Sequence, residues 1–198
     1  MSTYFETVKK SFTDVPVTDD GVETTSFLEA SEGLVGIFEL LNSAAFSMVQ
    51  SDMKSNIAKV RARQTSHPAE SVTLEKLVEN EWKEKKRPAT EGLMWLLRGL
   101  SFTCVALQKS QANKDHELAQ SFGTAYETTL KPHHNFVVKG AFAVAMKACP
   151  YRKDLYGKLG SPPEKVDEEL DKWLAALHAI VIRLQGFYEK GGYNKGPF

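Results

Sequence analysis

Leu93-Met94-Trp95-Leu96-Leu97-Arg98-Gly99-Leu100 is the stretch on which the fold turns. All but Arg98 and Gly99 are large apolar side chains, and the run covers little more than two helical turns at 3.6 residues each. Apolar groups therefore point in nearly every direction around the axis. A helix hydrophobic all round belongs at the centre of a domain. Pro88 and Thr90 open it, and the pattern continues to about Lys109. A second run, His133 to Ala148, is apolar on most faces as well, with Pro132 suited to its first turn and Pro150 ending it.

Amphipathic helical patterns flank these two. Tyr4, Phe5, Val8 and Phe12 suggest a short N-terminal helix, followed by a loop from Pro16 to Gly21. Thr25 or Ser26 can cap a helix to about Leu41. Asn42 and Ser43 break it, and a third helix spans about Ala45 to Arg63. After a turn at His67-Pro68-Ala69, helices are expected over Thr73–Lys86, Asp115–Leu130, one or two turns at Asp154–Leu159, and from Pro162-Pro163 through Phe187. Gly191, Gly192, Gly196 and Pro197 make a non-helical tail. Strand-like alternation is scarce and no internal repeat or linker is visible. The expectation is an all-α fold, one domain over residues 1–198, with about eight helices in two layers around the two apolar ones.

The chain has 198 residues and 22.1 kDa, enough for one sizeable core. Twenty-five Lys and Arg against 25 Asp and Glu give zero formal charge. A protein built to neutralise phosphates favours a basic excess, so nucleic acid is not an expected partner. Two cysteines, Cys104 and Cys149, make neither a disulfide framework nor a zinc site, and the five histidines lack metal-ligand spacing. The N-terminus lacks the apolar core of a signal peptide, and no stretch approaches the roughly 20 apolar residues of a membrane span. A cytoplasmic protein without metal or cofactor is expected.

Candidate chemistry concentrates on the third helix. Asp52, Asn56, Lys59 and Arg63 fall at i, i+4, i+7 and i+11, one narrow polar stripe beside the apolar stripe of Val49, Met53, Ile57 and Val60. A carboxylate, an amide and an ammonium in line offer acceptors, a mixed group and donors, which suits a polyhydroxylated ligand. A solvated helix face has the same spacing. Trp95 can stack on the apolar face of a sugar or fill the core, and Arg98 on the same side needs a partner if buried. His133 and His134 have no G-x-S-x-G nucleophile motif to serve, so a structural or ligand-bonding histidine fits better than a catalytic one.

Four segments together resemble the glycolipid transfer protein family. Asp52-Met53-Lys54-Ser55-Asn56-Ile57-Ala58-Lys59 is similar to its D-x-x-x-N-x-x-K helix, and Leu93 to Leu100 to its L-M-W-L-x-R-G-L helix. Leu130-Lys131-Pro132-His133-His134 matches its histidine segment, and Ala148-Cys149-Pro150-Tyr151 its A-x-P-Y turn. Order and spacing agree over nearly the whole chain, with the fungal heterokaryon-incompatibility members as the suggested nearest kin.

The resemblance implies a two-layer helical sandwich enclosing a lipid pocket, and a non-enzymatic carrier of glycosphingolipids. It implies that Asp52, Asn56 and Lys59 bond the first sugar, that Asp52 also binds the ceramide amide, that Trp95 stacks under the sugar, and that His134 bonds the ceramide carbonyl. Val49, Phe102, Leu130, Ala141, Phe142, Ala145 and Met146 would line the pocket. The family's membrane-contacting tryptophan is Phe136 here, which can insert during transient membrane contact but lacks the indole N–H. The tail around Tyr193 departs from the family. Its receptor-docking motif is at best vestigial in Ile37-Phe38-Glu39-Leu40-Leu41. Ceramide-phosphate carriers replace the asparagine, so Asn56 with Trp95 points to a neutral sugar. A glycolipid sensor that does not transport satisfies the same residues. A glycolipid hydrolase satisfies them poorly, because Asp52 has no second acid of the kind glycosidases require.

Overall fold

The computed structural model describes residues 2–41, 43 and 46–194. Among them are eight α-helices: α1 (Thr24–Leu41), α2 (Ser47–Ser66), α3 (Leu74–Glu81), α4 (Pro88–Ala112), α5 (Leu118–Thr128), α6 (Phe136–Lys147), α7 (Arg152–Leu159) and α8 (Pro163–Gly191). They form a two-layer all-α fold. The central helix α4 packs against α2, α3, α5 and α8, while α1 lies on α2 and α7, and α5 on α6. The strands among the described residues are β1 (Val17–Thr18) and β2 (Gly21–Val22), a small antiparallel hairpin within the expected loop. Ala45, Gly196 and Pro197, and the Asn42 half of the expected break, lie outside the described residues.

The apolar run sits where its pattern predicts: Leu93, Leu96, Leu97, Leu100 and Phe102 are fully buried. What anchors the start of α4 is Glu81, a carboxylate only 2% exposed. It accepts hydrogen bonds from the Ala89 N–H (3.1 Å), the Thr90 N–H (2.6 Å) and the Thr90 hydroxyl (2.7 Å). These bonds occupy amides that a helix start otherwise leaves open. They also tie α3 to α4 at Glu81, so α3 ends there and not at Lys86. Two glycines of α4, seven residues apart on one face, set the approach of α2. A Cβ on Gly92 would stand 3.1 Å from the Lys59 side chain, and one on Gly99 3.4 Å from Met53. The polar stripe of α2 is thereby held against the central helix.

Three expectations require correction. The N-terminal amphipathic helix is two separate 3-10 turns, Tyr4–Glu6 and Phe12–Asp14. Thr3 and Glu6 close the first through a reciprocal capping box, Ser11 caps the second, and the Phe5 and Phe12 rings reach Trp173 on α8. The helix expected from His133 to Ala148 is divided. Lys131–His133 forms a 3-10 turn, His134 is extended (φ −94°, ψ 141°), and the Asn135 side chain accepts from the Val138 N–H at 3.0 Å to start α6. Nor is α6 central. It buries Phe142, Ala145 and Met146 while Phe136, Val137 and Val144 are 90%, 77% and 67% exposed. Among the described residues α4 packs against four helices, α2, α3, α5 and α8, whereas the main helical neighbour of α6 is α5.

Among the described residues no helix is long and apolar enough to cross a membrane. No group of three or more His, Cys, Asp and Glu is placed to hold a metal ion among them. Burial pushes both free thiols, Cys104 and Cys149, up to about 12.

Candidate functional site

On α2 the stripe becomes a hydrogen-bonded chain. The Asn56 Nδ2 donates to Asp52 Oδ2 at 3.1 Å, and Lys59 Nζ donates to Asn56 Oδ1 at 3.1 Å. Asn56 is buried, while Asp52 and Lys59 are accessible. Burial of the amide with a cation on one side and a carboxylate on the other fixes its orientation. Asp52 retains acceptor capacity toward the exterior and Lys59 retains donors. Partial desolvation raises the Asp52 carboxyl above its ordinary range, outweighing the attraction of Lys59 and the Asn56 bond. Arg63, fourth in the stripe, serves elsewhere: it is buried and pairs with Glu84 (2.6 Å) and Glu70 (3.2 Å), pinning the end of α2.

Facing the chain from α4, Trp95 is half-buried, with the Arg98 guanidinium 4.6 Å from its ring centroid. The His134 ring lies nearly parallel to it (16°) at 6.3 Å, and His133 edge-on at 6.4 Å. His134 reaches this place because it lies in the extended link before α6. It is held there by the Tyr126 hydroxyl, 3.1 Å from Nδ1, and by Phe142, 4.7 Å away. Desolvation first, then nearby positive charge, lowers the His134 pKa; desolvation and Arg98 do the same to His133. Both imidazoles are therefore neutral near pH 7. In the tautomer whose Nδ1 accepts from the Tyr126 hydroxyl, Nε2 of His134 carries the proton and is a donor.

These groups ring one cavity of about 360 Å³. Asp52, Asn56, Lys59 and His134 supply polar atoms; Trp95 and Gly99 come from α4; Met48, Val49, Met53, Leu130, Val138 and Phe142 are apolar. All five expected headgroup residues thus line one site, with Val49, Leu130 and Phe142 of the expected pocket set. Phe102, Ala145 and Met146 are buried but do not line it; the Phe102 ring backs the wall, edge-on to Phe142 and Tyr126. Ala141 is exposed, since one residue from Phe142 is about 100° around the helix. Tyr126, which orients His134, and the lining residues Met48 and Val138 escape the sequence reading. A tyrosine on another helix carries no periodic signal toward a histidine eight residues on. Tyr193 lies outside the cavity, against Trp82 (5.1 Å) and Phe187 (5.0 Å). In the segment matched to a receptor-docking motif, Ile37, Phe38 and Leu41 are core residues, while Glu39 is exposed and Leu40 partly so.

An apolar cavity whose mouth carries a carboxylate, an amide, an ammonium and an indole has the features an all-α lipid-binding protein needs to hold an amphiphile. The glycolipid transfer protein family model matches residues 22–161. A glycolipid transfer protein of Aureobasidium melanogenum is 50% identical over 185 residues, covering 93% of this chain and 92% of that one. The fungal glycolipid transfer protein HET-C2 superposes with a TM-score of 0.91 at 50% identity, over 94% of this chain and 97% of that one. FAPP2, which selects simple glycosphingolipids using the GLTP fold, gives 0.90 at 28% identity over 99% of both chains. The chain belongs to the glycolipid transfer protein family, and it is a lipid transfer protein, not an enzyme.

Proposed function

We propose that this protein carries glycosphingolipids of the glucosyl- or galactosylceramide type between membranes, as a single cytoplasmic domain. The observation that supports this most directly is the Asp52–Asn56–Lys59 chain at the mouth of an apolar cavity. Asp52, Asn56 and Lys59 bond the first sugar, and the second oxygen of Asp52 accepts the ceramide amide N–H. Trp95 supports the sugar face, and the Nε2–H of His134 donates to the ceramide carbonyl. Val49, Leu130 and Phe142 meet the chains. Phe136, 90% exposed, enters the membrane surface during pick-up and release.

Energetics favour selection by the headgroup. Burying a CH₂ from water is worth about 0.8 kcal/mol. A bilayer supplies the same gain, so moving the chains into the protein is nearly neutral. The polar site then discriminates, because a ligand without sugar hydroxyls leaves its groups unpaired. The test is vesicle-to-vesicle transfer of labelled galactosylceramide, sphingomyelin and ceramide-1-phosphate. Transfer of the sugar lipid alone is expected. Equal transfer of all three refutes headgroup selection, and sugar binding without net transfer refutes the carrier role.

A further inference from the structure

The two ends of an amide demand opposite partners: the N–H needs an acceptor and the C=O a donor. At the cavity mouth an ionised Asp52 can only accept. His134 is ambiguous by composition, because a neutral imidazole carries its proton on either nitrogen. The group against Nδ1 settles which, and that group is the Tyr126 hydroxyl, 3.1 Å away. Tyr126 lies on α5 and is 4% exposed. Its ring stacks on Phe142 at 4.7 Å and 13°, and stands edge-on to Phe102 at 6.3 Å. The hydroxyl is thereby held in one place with aromatic rings around it. Among the described residues His134 is its one side-chain hydrogen-bond partner. If Nδ1–H donated to the phenol oxygen, the phenol proton would have no acceptor among them, an unfavourable burial. With the phenol donating instead, both groups are satisfied and the imidazole proton goes to Nε2. Turning the imidazole over would set Cδ2 against the hydroxyl, so the same bond also fixes which way the ring faces.

We propose that Tyr126 determines what the amide end of the site selects: by fixing His134 as an Nε2–H donor it makes the site read an acyl carbonyl, and so favours N-acylated glycosphingolipids over the same lipids with that carbonyl removed. The inference rests on the carrier reading above, which places the ceramide carbonyl at His134. Tyr126 stands behind the cavity lining and is a positioning residue that acts through the imidazole. Asp52 and His134 then form one acceptor and one donor, a pair that fits an amide in a single direction. With the opposite tautomer, Nε2 would be a second acceptor beside Asp52, and its lone pair would face that of the carbonyl.

The test has two arms. The first is ¹⁵N NMR of the imidazoles in the wild-type chain at about pH 7, with His134 assigned by its absence from the His134→Gln spectrum. A proton on Nε2 and a bare Nδ1 are expected; a proton on Nδ1 overturns the inference, and this arm needs no change at Tyr126. The second arm is a cycle of Tyr126→Phe, His134→Gln and the double variant, each checked for folding by circular dichroism and melting. Binding is measured for galactosylceramide and for its N-alkyl counterpart, in which the amide C=O is reduced to CH₂. Phenylalanine keeps the ring in its stack and deletes only the hydroxyl. Tyr126→Phe should weaken galactosylceramide binding about five- to tenfold, the worth of one oriented neutral hydrogen bond, and leave the N-alkyl lipid within about twofold. In the His134→Gln background the side-chain amide is a donor whatever Tyr126 does, so deleting the hydroxyl there should change nothing. A loss that persists in that background, or that falls equally on both lipids, assigns Tyr126 to packing and overturns the inference. A wild type that moves galactosylceramide while Tyr126→Phe binds it unchanged overturns this inference and leaves the carrier reading standing. A folded wild type that neither binds nor moves galactosylceramide overturns the carrier reading and this one with it.

Discussion

Replacing Asp52 by valine separates binding from folding in this protein. In the ligand-free chain Asp52 makes one side-chain bond, to Asn56 Nδ2, and is solvent-accessible. Valine therefore costs the fold little. An Asn56 donor loses its partner at the cavity mouth, where water can replace it, at about 1 kcal/mol or less. Against this, the raised carboxyl pKa means that folding disfavours the ionised Asp52, a penalty present above its folded pKa and absent below its unfolded one. Removing the carboxylate relieves it at pH 7. The two effects oppose, and the melting temperature should move by no more than about 2–4 °C. Binding behaves differently. In the proposed complex Asp52 accepts two charge-assisted bonds, from a sugar hydroxyl and the ceramide amide, each worth about 1.5–3 kcal/mol. Their loss weakens affinity by roughly two to four decades. Transfer of labelled galactosylceramide between vesicles should fall to background, while helical circular dichroism and cooperative melting persist. A folded Asp52→Val protein that transfers within twofold of the wild type refutes the headgroup assignment.

Other perturbations probe the remaining parts. His133 and His134 have folded pKa values below their unfolded ones, so the unfolded chain binds more protons near pH 6 and stability falls as pH drops through 6.5 toward the folded values. A His133→Gln/His134→Gln variant should show a flatter dependence of melting temperature on pH between 5 and 6.5; an unchanged slope rejects the neutral-imidazole assignment. Phe136→Ala should leave the melting temperature unchanged and lower vesicle association roughly 10- to 100-fold, the worth of burying one phenyl ring, as read by sedimentation with vesicles. Glu81→Ala removes three hydrogen bonds at the start of α4 and should cost about 2–4 kcal/mol in urea unfolding; a loss below about 0.5 kcal/mol rejects its anchoring role.

The helices were legible to the extent that periodicity alone forms them. Residues 24–41 and 163–191 repeat apolar side chains at helical spacing over many turns, and helices form there, although α1 starts at Thr24 with the Glu23 carboxylate accepting from the Thr25 and Ser26 N–H groups, and α8 runs past Phe187 to Gly191, which the sequence pattern assigns to the tail. The 133–148 segment shows the limit. Its apolar content is helical in period, but the competition between His134 inside a helix and Asn135 capping a later one is decided by a single side-chain bond to Val138. Apolarity on most faces likewise fails to separate α4, enclosed by neighbours, from α6, whose surplus apolar residues face outward.

By itself the sequence determined the all-α class, the central place of the 93–100 run and the alignment of Asp52, Asn56 and Lys59. Each follows from a repeat along one helix, which the chain carries without reference to its neighbours. The motif resemblance sharpened the expected roles of Trp95 under the sugar and His134 at the ceramide carbonyl, which the residues alone left open. Tertiary structure alone decided what crosses between helices: Arg63 leaving the stripe for Glu70 and Glu84, Tyr126 orienting His134, and Ala141 turned outward while Phe142 faces the cavity. The reason is physical. Spacing fixes which face of a helix a side chain occupies, but its partner is set by the packing of a second helix whose position no local pattern encodes.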